Sequence, residues 1–573
     1  DITADAITGT LVLRGDLTAL GSAGIGGQAD GDAKDVTLSQ LNNAAIGLNP
    51  DASHTAAVDT ITIQGNDVTF DGTVDGTAAL TVNTFDDNSQ GSAAGVTTFN
   101  ANVGETDALV ALVTDTGTAN GKTVINTAFV NATDLITFND AVVLEASTTL
   151  RGDSVGGHTD AVEFNGTVDS AATEANNLII DAVRTEFNAI VGGETDGALG
   201  TLLTSRDSGA DLTVLNTSAI NAEGIYLDDA VEIAAGTTGT TTLTATLPSL
   251  VGIRFSETID STAGEQNSLV AVAPGHIEFL GDIGTLGADP SDAAISTALG
   301  RLQTTATDQT FIRAATINTL GASVEHNGPV LIDDNLTYNE YGSGDVVFND
   351  TVDSSANQAF DLTVNTFGGG TTRFVGEVGK ASATRYLGTL ATDTTAADGV
   401  TEFHADVTAE VITINDDLLI GDAGGVLQIG EYALTTDLYF GGTVDSIAGE
   451  NNKVAFVATN SVTFEEAVGS NDRLHNILVD GGNTTAINGG SIDTTGSQLY
   501  RDAIVLGADT TMDSTNNSVT FNDTVDSDAT ARNLIVTAGT STQFNGTLGG
   551  NAALENLTAT ADDGIVLVTE SLT

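Results

Sequence analysis

One phrase, written six times, limits what this chain can fold into. It runs FDGTVD from Phe70, FNGTVD from Phe164, FSETID from Phe255, FNDTVD from Phe348, FGGTVD from Phe440 and FNDTVD from Phe521, at Phe spacings of 94, 91, 93, 92 and 81 residues. A second phrase follows each copy after 23 to 29 residues: FNANVG from Phe99, FNAIVG from Phe187, FLGDIG from Phe279, FVGEVG from Phe374, FEEAVG from Phe464 and FNGTLG from Phe544. A unit of about two dozen residues is therefore nested inside one of about 92. Periods of this size belong to solenoids, in which each unit buries its neighbour's open face. The rest of the long unit is looser but visible, as ITFNDAVVL from Ile136, GIYLDDAVEI from Gly224, VITINDDLLI from Val411 and QLYRDAIVL from Gln498. It amounts to about four coils per long repeat.

The local pattern is that of strands. Val68, Phe70 and Val74 alternate with Thr, and Leu80 and Val82 alternate again after a small polar loop. The pattern returns at Val162, Phe164, Val168, Leu178 and Ile180, and at Val519, Phe521, Val525, Leu534 and Val536. Period two with β-branched residues marks a strand with one buried face. Between Phe and Val lie Asp71-Gly72, Asn165-Gly166 and Asn545-Gly546, pairs that accept positive φ and suit a sharp corner. The same pairs serve as hairpin turns in an antiparallel sandwich, but a meander reverses direction at each strand, whereas here Phe returns at one phase. The expected fold is all-β, a parallel β-solenoid whose Phe, Val and Leu columns form a continuous core. Residues 1–67 read as a partial repeat with an insertion from about Ser22 to Ser53, followed by repeats over 68–161, 162–252, 253–345, 346–437 and 438–518 and a partial one over 519–573, all one continuous solenoid. About 24 coils at ~4.8 Å each predict a rod on the order of 115 Å.

Charge is the second constraint. The 573 residues carry 78 Asp and Glu against 16 Lys and Arg, a formal charge of -62, while 40% of the chain is hydrophobic, enough for a core. No basic stripe exists to neutralise phosphates, so nucleic acid and anionic membrane surfaces are disfavoured and cations are the expected partners. Spread along the rod, the charge comes to roughly one per 2 Å, near the ~1.7 Å of duplex DNA. The Asp closing the first phrase (Asp75, Asp169, Asp260, Asp353, Asp445, Asp526) becomes Gly in the second (Gly104, Gly192, Gly284, Gly379, Gly469, Gly549), which removes a ladder of carboxylates stacked ~5 Å apart. A salty or divalent-rich medium is expected, with calcium or ionic strength raising the melting temperature. No run approaches the ~18 apolar residues of a membrane span, so no membrane insertion of this segment is expected, and the opening Asp1-Ile2-Thr3 has no basic and apolar leader.

Catalytic and metal-binding patterns are sparse. Without Cys there are no disulfides, thiol nucleophiles or Cys-type zinc sites, and His54, His158, His276, His326, His404 and His475 are scattered, reading as isolated surface or loop residues. Carboxylate doublets occur at Asp228-Asp229, Asp333-Asp334 and Asp416-Asp417. They read first as structural corners and second as calcium ligands, with Asp228, Asp229, Asp416 and Asp417 as the candidates. Arg-Gly-Asp appears at Arg14-Gly15-Asp16 and Arg151-Gly152-Asp153, but Gly-Asp corners without Arg recur, as at Gly421-Asp422, so the Arg reads as incidental. With no Trp and one Met, Met512, no aromatic platform of the usual sugar-gripping kind is evident. The chain reads as a non-enzyme that requires no cofactor, calcium being the one candidate.

The segment TTAINGGSIDTTGSQLYRDAIVLGADTTMDSTNNSVTFNDTVDS from Thr484, with the FNGTVDS and FNGTLGG phrases, resembles the repeats of giant secreted bacterial proteins, the filamentous-haemagglutinin-like and autotransporter-like adhesins. The resemblance covers nearly the whole chain at the level of corners and core columns. It implies a right-handed β-solenoid, an extracellular or cell-surface location, and a role in adhesion, biofilm or surface-fibre architecture. It carries over no catalytic or ligand residues. The chain begins and ends within a repeat, so it is expected to belong to a longer parent chain or to associate with itself end to end. The leading expectation is a structural rod, such as a surface fibre, filament or adhesin shaft. The alternative is an adhesin module that recognises host or matrix glycans or proteins through irregular loops, with 22–53 and 284–301 as candidates.

Overall fold

The computed structural model describes residues 60–568 except 66, 85–94, 117–120, 153–160, 194–196, 206–210, 237, 249–250, 286–295, 381–383, 395–398 and 422–423, together with the short strands Leu11–Leu13, Leu17–Thr18, Val36–Leu38 and Ile46–Leu48. The insertion 22–53 (apart from two of those strands), Arg14-Gly15-Asp16, His54, His158 and Asp153 thus lie outside the described residues. Among those described, every element is a β-strand and none is a helix. The strands pair in parallel with the turns before and after them, making a β-solenoid of about 20 turns rather than about 24. The chain divides into two compact units, Asp1–Gly281 and Asp282–Thr573.

Each turn contains three strands. In the first unit, Ala161–Phe164 leads through a corner to Val168–Ser170, then through a loop to Leu178–Asp181, after which Arg184–Phe187 begins the next turn directly above Ala161–Phe164. Strand alternation does the sorting: Val162 and Phe164 are buried while Ala161 and Glu163 are not. The corner glycine is fixed by its neighbours more than by its φ. A Cβ at Gly166 would stand 2.2 Å from the Asp140 carbonyl oxygen of the turn below, and one at Gly546 2.2 Å from the Asp523 carbonyl carbon, yet neither residue has a positive φ. The corner takes Gly because two backbones cross there.

The long repeat does not close on a whole number of turns. Starting at Phe164, the same face is occupied by Phe187, Leu215, Ile233 and then Ser261, which belongs to the next copy's Ile259–Ser261 strand rather than to its Phe. Phe255 instead stands over Leu227, Thr204 and Ile180. Each repeat is therefore eleven strand positions long, or three and two-thirds turns, and its signature phrase steps back by one face per copy. The second unit repeats the arrangement. Phe348, Phe374, Phe403, Ile420 and Ser446 share one column, Phe440, Phe464, Ile487, Leu506 and Ser527 another, and Phe440 stands over Ile414, Thr392 and Val364. A column accordingly passes through Phe, Val and Leu positions in succession.

All twelve signature phenylalanines lie in the core. Each nested pair is face-stacked: Phe70 on Phe99 with ring centroids 5.0 Å apart, Phe164 on Phe187 at 5.2 Å, Phe255 on Phe279 at 5.3 Å, Phe348 on Phe374 at 5.0 Å, Phe440 on Phe464 at 5.4 Å and Phe521 on Phe544 at 4.8 Å. In-register parallel strands place the same side chain in the same rotamer one rung up, so the rings lie nearly parallel.

Candidate functional site

The candidate site is the set of side chains that join one turn to the next. Asn residues that follow the Phe positions form bridges along the solenoid axis: Asn165 Nδ2 donates to Asn139 Oδ1 (3.0 Å), Asn188 to Asn165 (3.0 Å) and Asn216 to Asn188 (2.9 Å). In the second unit, Asn339 donates to Asn318 (2.9 Å) and Asn365 to Asn339 (3.0 Å). An amide carries both donor and acceptor, so identical residues one rung apart satisfy each other.

The Asp that ends the first phrase also points along the axis. Asp75, Asp445 and Asp526 are buried, and their Oδ1 atoms accept the backbone N–H of Thr106 (2.8 Å), Asn471 (2.9 Å) and Asn551 (2.9 Å) in the loop one turn on. Those loops begin at the second-phrase glycine. Gly104, Gly192, Gly284, Gly379 and Gly469 have φ of 65 to 70°, and a Cβ on any of them would fall 2.0 to 2.4 Å from a carbonyl oxygen of the next turn. The Asp-to-Gly alternation thus has a conformational cause. The Asp caps a loop, and the Gly is the only residue that fits the bend.

The carboxylate doublets are held one residue at a time. Asp229 is buried and its Oδ2 accepts Thr213 Oγ1 at 3.1 Å, whereas Asp228 receives the Arg254 guanidinium at 2.8 and 2.9 Å and the Ser256 hydroxyl. Asp416 is likewise buried, accepting Thr392 Oγ1 (2.7 Å) and Thr401 Oγ1 (2.9 Å), while Asp417 lies outside and accepts the Thr443 N–H (2.8 Å). Asp333 pairs with Arg313, and Asp334 accepts the Asn335 N–H. Among the described residues, no group of three or more acidic or His side chains is arranged to hold a metal.

Asp229 and Asp416 belong to a kind of buried node that the sequence reading missed, and Asp140 forms another. Asp140 accepts Thr114 Oγ1 and Thr123 Oγ1, each at 2.9 Å, and hydrogen-bonds to the Asp115 carboxyl, which also receives Thr84 Oγ1. Asp416 occupies the same place beside Asp393, which receives Thr366 Oγ1. Burial, and then the neighbouring carboxylate, hold Asp140 well above the usual carboxylate range; burial and the nearby Asp393 do the same to Asp416. Burial pushes Asp229 up to about 6, with the Asp211 and Asp228 charges adding to it. The legible signal was Thr-Asp-Thr at 114–116 and again at 392–394.

His326 overturns the expectation that the histidines are surface or loop residues. It is fully buried in a Phe column, stacked on Phe348 at 5.5 Å, with Thr304 Oγ1 at 2.8 Å from Nδ1 and Tyr338 OH at 2.9 Å from Nε2. An imidazole is tolerated there because both nitrogens have partners, and burial lowers its pKa to about 3, so it is neutral. The Arg151 guanidinium of the second Arg-Gly-Asp pairs with Asp181 at 3.0 Å. Within 284–301, the described flanks fold back: Thr297 Oγ1 donates to the Thr285 carbonyl, and Leu299 bridges to Thr319. No family model, no curated protein and no solved structure matches this chain.

Proposed function

We propose that the chain is a structural protein, a stiff acidic β-solenoid segment of an extracellular surface fibre, filament or giant adhesin shaft of the filamentous-haemagglutinin-like and autotransporter-like kind. The observation that carries this reading is the register of the side-chain columns. Each turn is joined to the next by parallel backbone ladders, stacked rings, Asn bridges and Asp caps, so bending a unit must break several contacts at once. Its partners are cations along the acidic surface and either further copies of the chain end to end or a longer parent chain. Catalysis has no place in this reading.

Negative-stain electron microscopy of the purified chain, with and without millimolar calcium, tests it. Straight filaments or discrete straight rods support a structural element, and filaments that appear or lengthen with calcium support cation-bridged assembly. Compact particles without a long axis, or strands that bend freely at low salt, refute it. Labelling intact cells of the source organism with an antibody to the chain tests the surface location separately.

A further inference from the structure

Four corners of the solenoid carry one dipeptide in one place. Asn165-Gly166, Asn327-Gly328, Asn488-Gly489 and Asn545-Gly546 follow directly on the strands Ala161–Phe164, Val324–His326, Thr484–Ile487 and Ser541–Phe544. At each, the Asn N–H donates to a carbonyl of the turn below at 2.8 to 2.9 Å, and a Cβ on the Gly would stand 2.0 to 2.2 Å from that turn's backbone. At none of the four does the Gly N–H donate a hydrogen bond among the described residues.

What differs is how the Asn amide is held. Asn165 is exposed and tied at both ends, its Nδ2 donating to Asn139 Oδ1 and its Oδ1 accepting Asn188 Nδ2, each at 3.0 Å. Asn327 is half-buried and its Oδ1 accepts Asn349 Nδ2 at 2.7 Å; Asn488 is half-buried and its Nδ2 donates to Glu465 Oε2 at 3.0 Å. Asn545 is as exposed as Asn165 but is tied at one end only, through Nδ2 to Asn522 Oδ1 at 3.0 Å. The chain one rung above it runs through Leu567 and Val568, which offer no side-chain amide.

We propose that Asn545 is a site of spontaneous deamidation and that the amide ladder shields Asn165 from the same reaction. The nucleophile is the Gly546 nitrogen, which has no hydrogen bond to give up and no side chain beside it to hinder ring closure. It loses its proton to hydroxide or buffer base and bonds to Asn545 Cγ. The Cγ–Nδ2 bond then breaks, and ammonia leaves with a proton taken from water. Water opens the resulting succinimide at either carbonyl, leaving aspartate or isoaspartate at 545. The net change is one amide and one water to one carboxylate and one ammonium, with nothing oxidised or reduced. To reach the Gly nitrogen the side chain must first leave its ladder partners, and each hydrogen bond so lost slows the step about fivefold. Asn165 must break two and Asn545 one. The product adds a negative charge to the acidic surface. Isoaspartate also lengthens the backbone by a carbon at a corner where two backbones cross, which should unseat the Val525–Leu548 bridge.

Peptide mapping by mass spectrometry tests the proposal on the folded full chain, incubated at pH 8 in water labelled with heavy oxygen, and reads the four sites in one sample. Asn545 should take up label about fivefold or more faster than Asn165, with Asn327 and Asn488 between them. In denaturant the four rates should converge, because the dipeptide is the same. Asn188→Ala removes the donor to Asn165 Oδ1 and should raise the Asn165 rate about fivefold while leaving Asn545 unchanged. Equal rates at Asn545 and Asn165 in the folded wild-type chain overturn the proposal. So does a ratio that persists in denaturant, or an Asn188→Ala chain of unchanged melting temperature in which Asn165 reacts no faster.

Discussion

Asp229→Asn isolates the consequence of burying a carboxylate in a threonine-lined interior. Asp229 is 4% exposed, and Thr213 donates a hydrogen bond to its carboxyl, with Thr204 bonded to Thr213 behind it. The charged groups facing it are Asp211 and Asp228, the latter neutralised by Arg254. Its pKa rises from 3.8 to about 6 on folding, so between those values the folded chain holds a proton that the unfolded chain has released. Stability therefore falls as pH rises through that window. The loss is complete above about pH 6 and amounts to about 3 kcal/mol, from about 1.4 kcal/mol per pH unit. Asn keeps the shape and the acceptor for Thr213 but cannot ionise. In a repeat array with nearest-neighbour coupling, the effect should stay local, so the assay is hydrogen–deuterium exchange of peptides spanning Leu212–Ile233 from pH 4 to 8, corrected for intrinsic rate. Opening of this region in the wild-type chain should become easier by up to about 3 kcal/mol, while D229N stays level and is the more protected above pH 6. A wild-type opening energy that does not change with pH, or an Asn variant with the same slope, refutes the argument.

Other perturbations probe different layers of the same stack. Gly192→Ala forces a residue with a Cβ into φ +65° and against the Asn221 carbonyl, at 2.2 Å; beyond the ~1–2 kcal/mol of left-handed strain, the clash should open the adjacent turns to limited proteolysis. Phe187→Ala removes a ring stacked on Phe164 and should cost about 3–5 kcal/mol, read as lost protection of Ala161–Phe164 and Leu212–Leu215. His326, with its pKa lowered from 6.5 to about 3, resists protonation while folded, so its surroundings should lose about 1.4 kcal/mol per unit as pH falls below 6.5. His326→Phe should abolish that acid sensitivity but leave the Tyr338 hydroxyl without its partner, and His326→Phe with Tyr338→Phe should recover the neutral-pH stability, measured by thermal melting at pH 4 and 7. Raising ionic strength from 10 to 500 mM should raise the melting temperature at pH 8, where the acidic surface repels itself most.

What the sequence disclosed, and what it hid, divides along a physical line. Core positions such as Phe164 and Val168 were legible because strand alternation and column stacking repeat the same demand in each copy. Gly166 and Gly192 were legible as special positions but not for their reasons, since the neighbour that forbids a Cβ belongs to another turn. The fractional turn was within reach: an inner spacing averaging about 25 residues divides 92 nearer to three and two-thirds than to four. Asp140, Asp229 and Asp416 stayed hidden because a carboxylate in an acidic chain reads as surface, and only the fold brings to it threonines 15 to 26 residues away. His326 was hidden for the same reason: its partners, Thr304 and Tyr338, lie 22 and 12 residues away.

The step of one face per repeat governs how such a chain lengthens. When a gene duplicates one repeat, the copy adds eleven strands, so whatever lies beyond it is turned by a third of a revolution and returns to its old bearing only after three duplications. A loop that gained a use in one copy would, on being multiplied, appear in a spiral around the axis and not along one flank. The core is subject to the same gearing. Because each column passes through all three kinds of strand, a substitution spread through every repeat meets itself on no single face, and its strain is shared among three columns instead of accumulating in one. The 81-residue repeat between Phe440 and Phe521 keeps the count of eleven by shortening its connections, so within this chain the gear ratio is independent of repeat length.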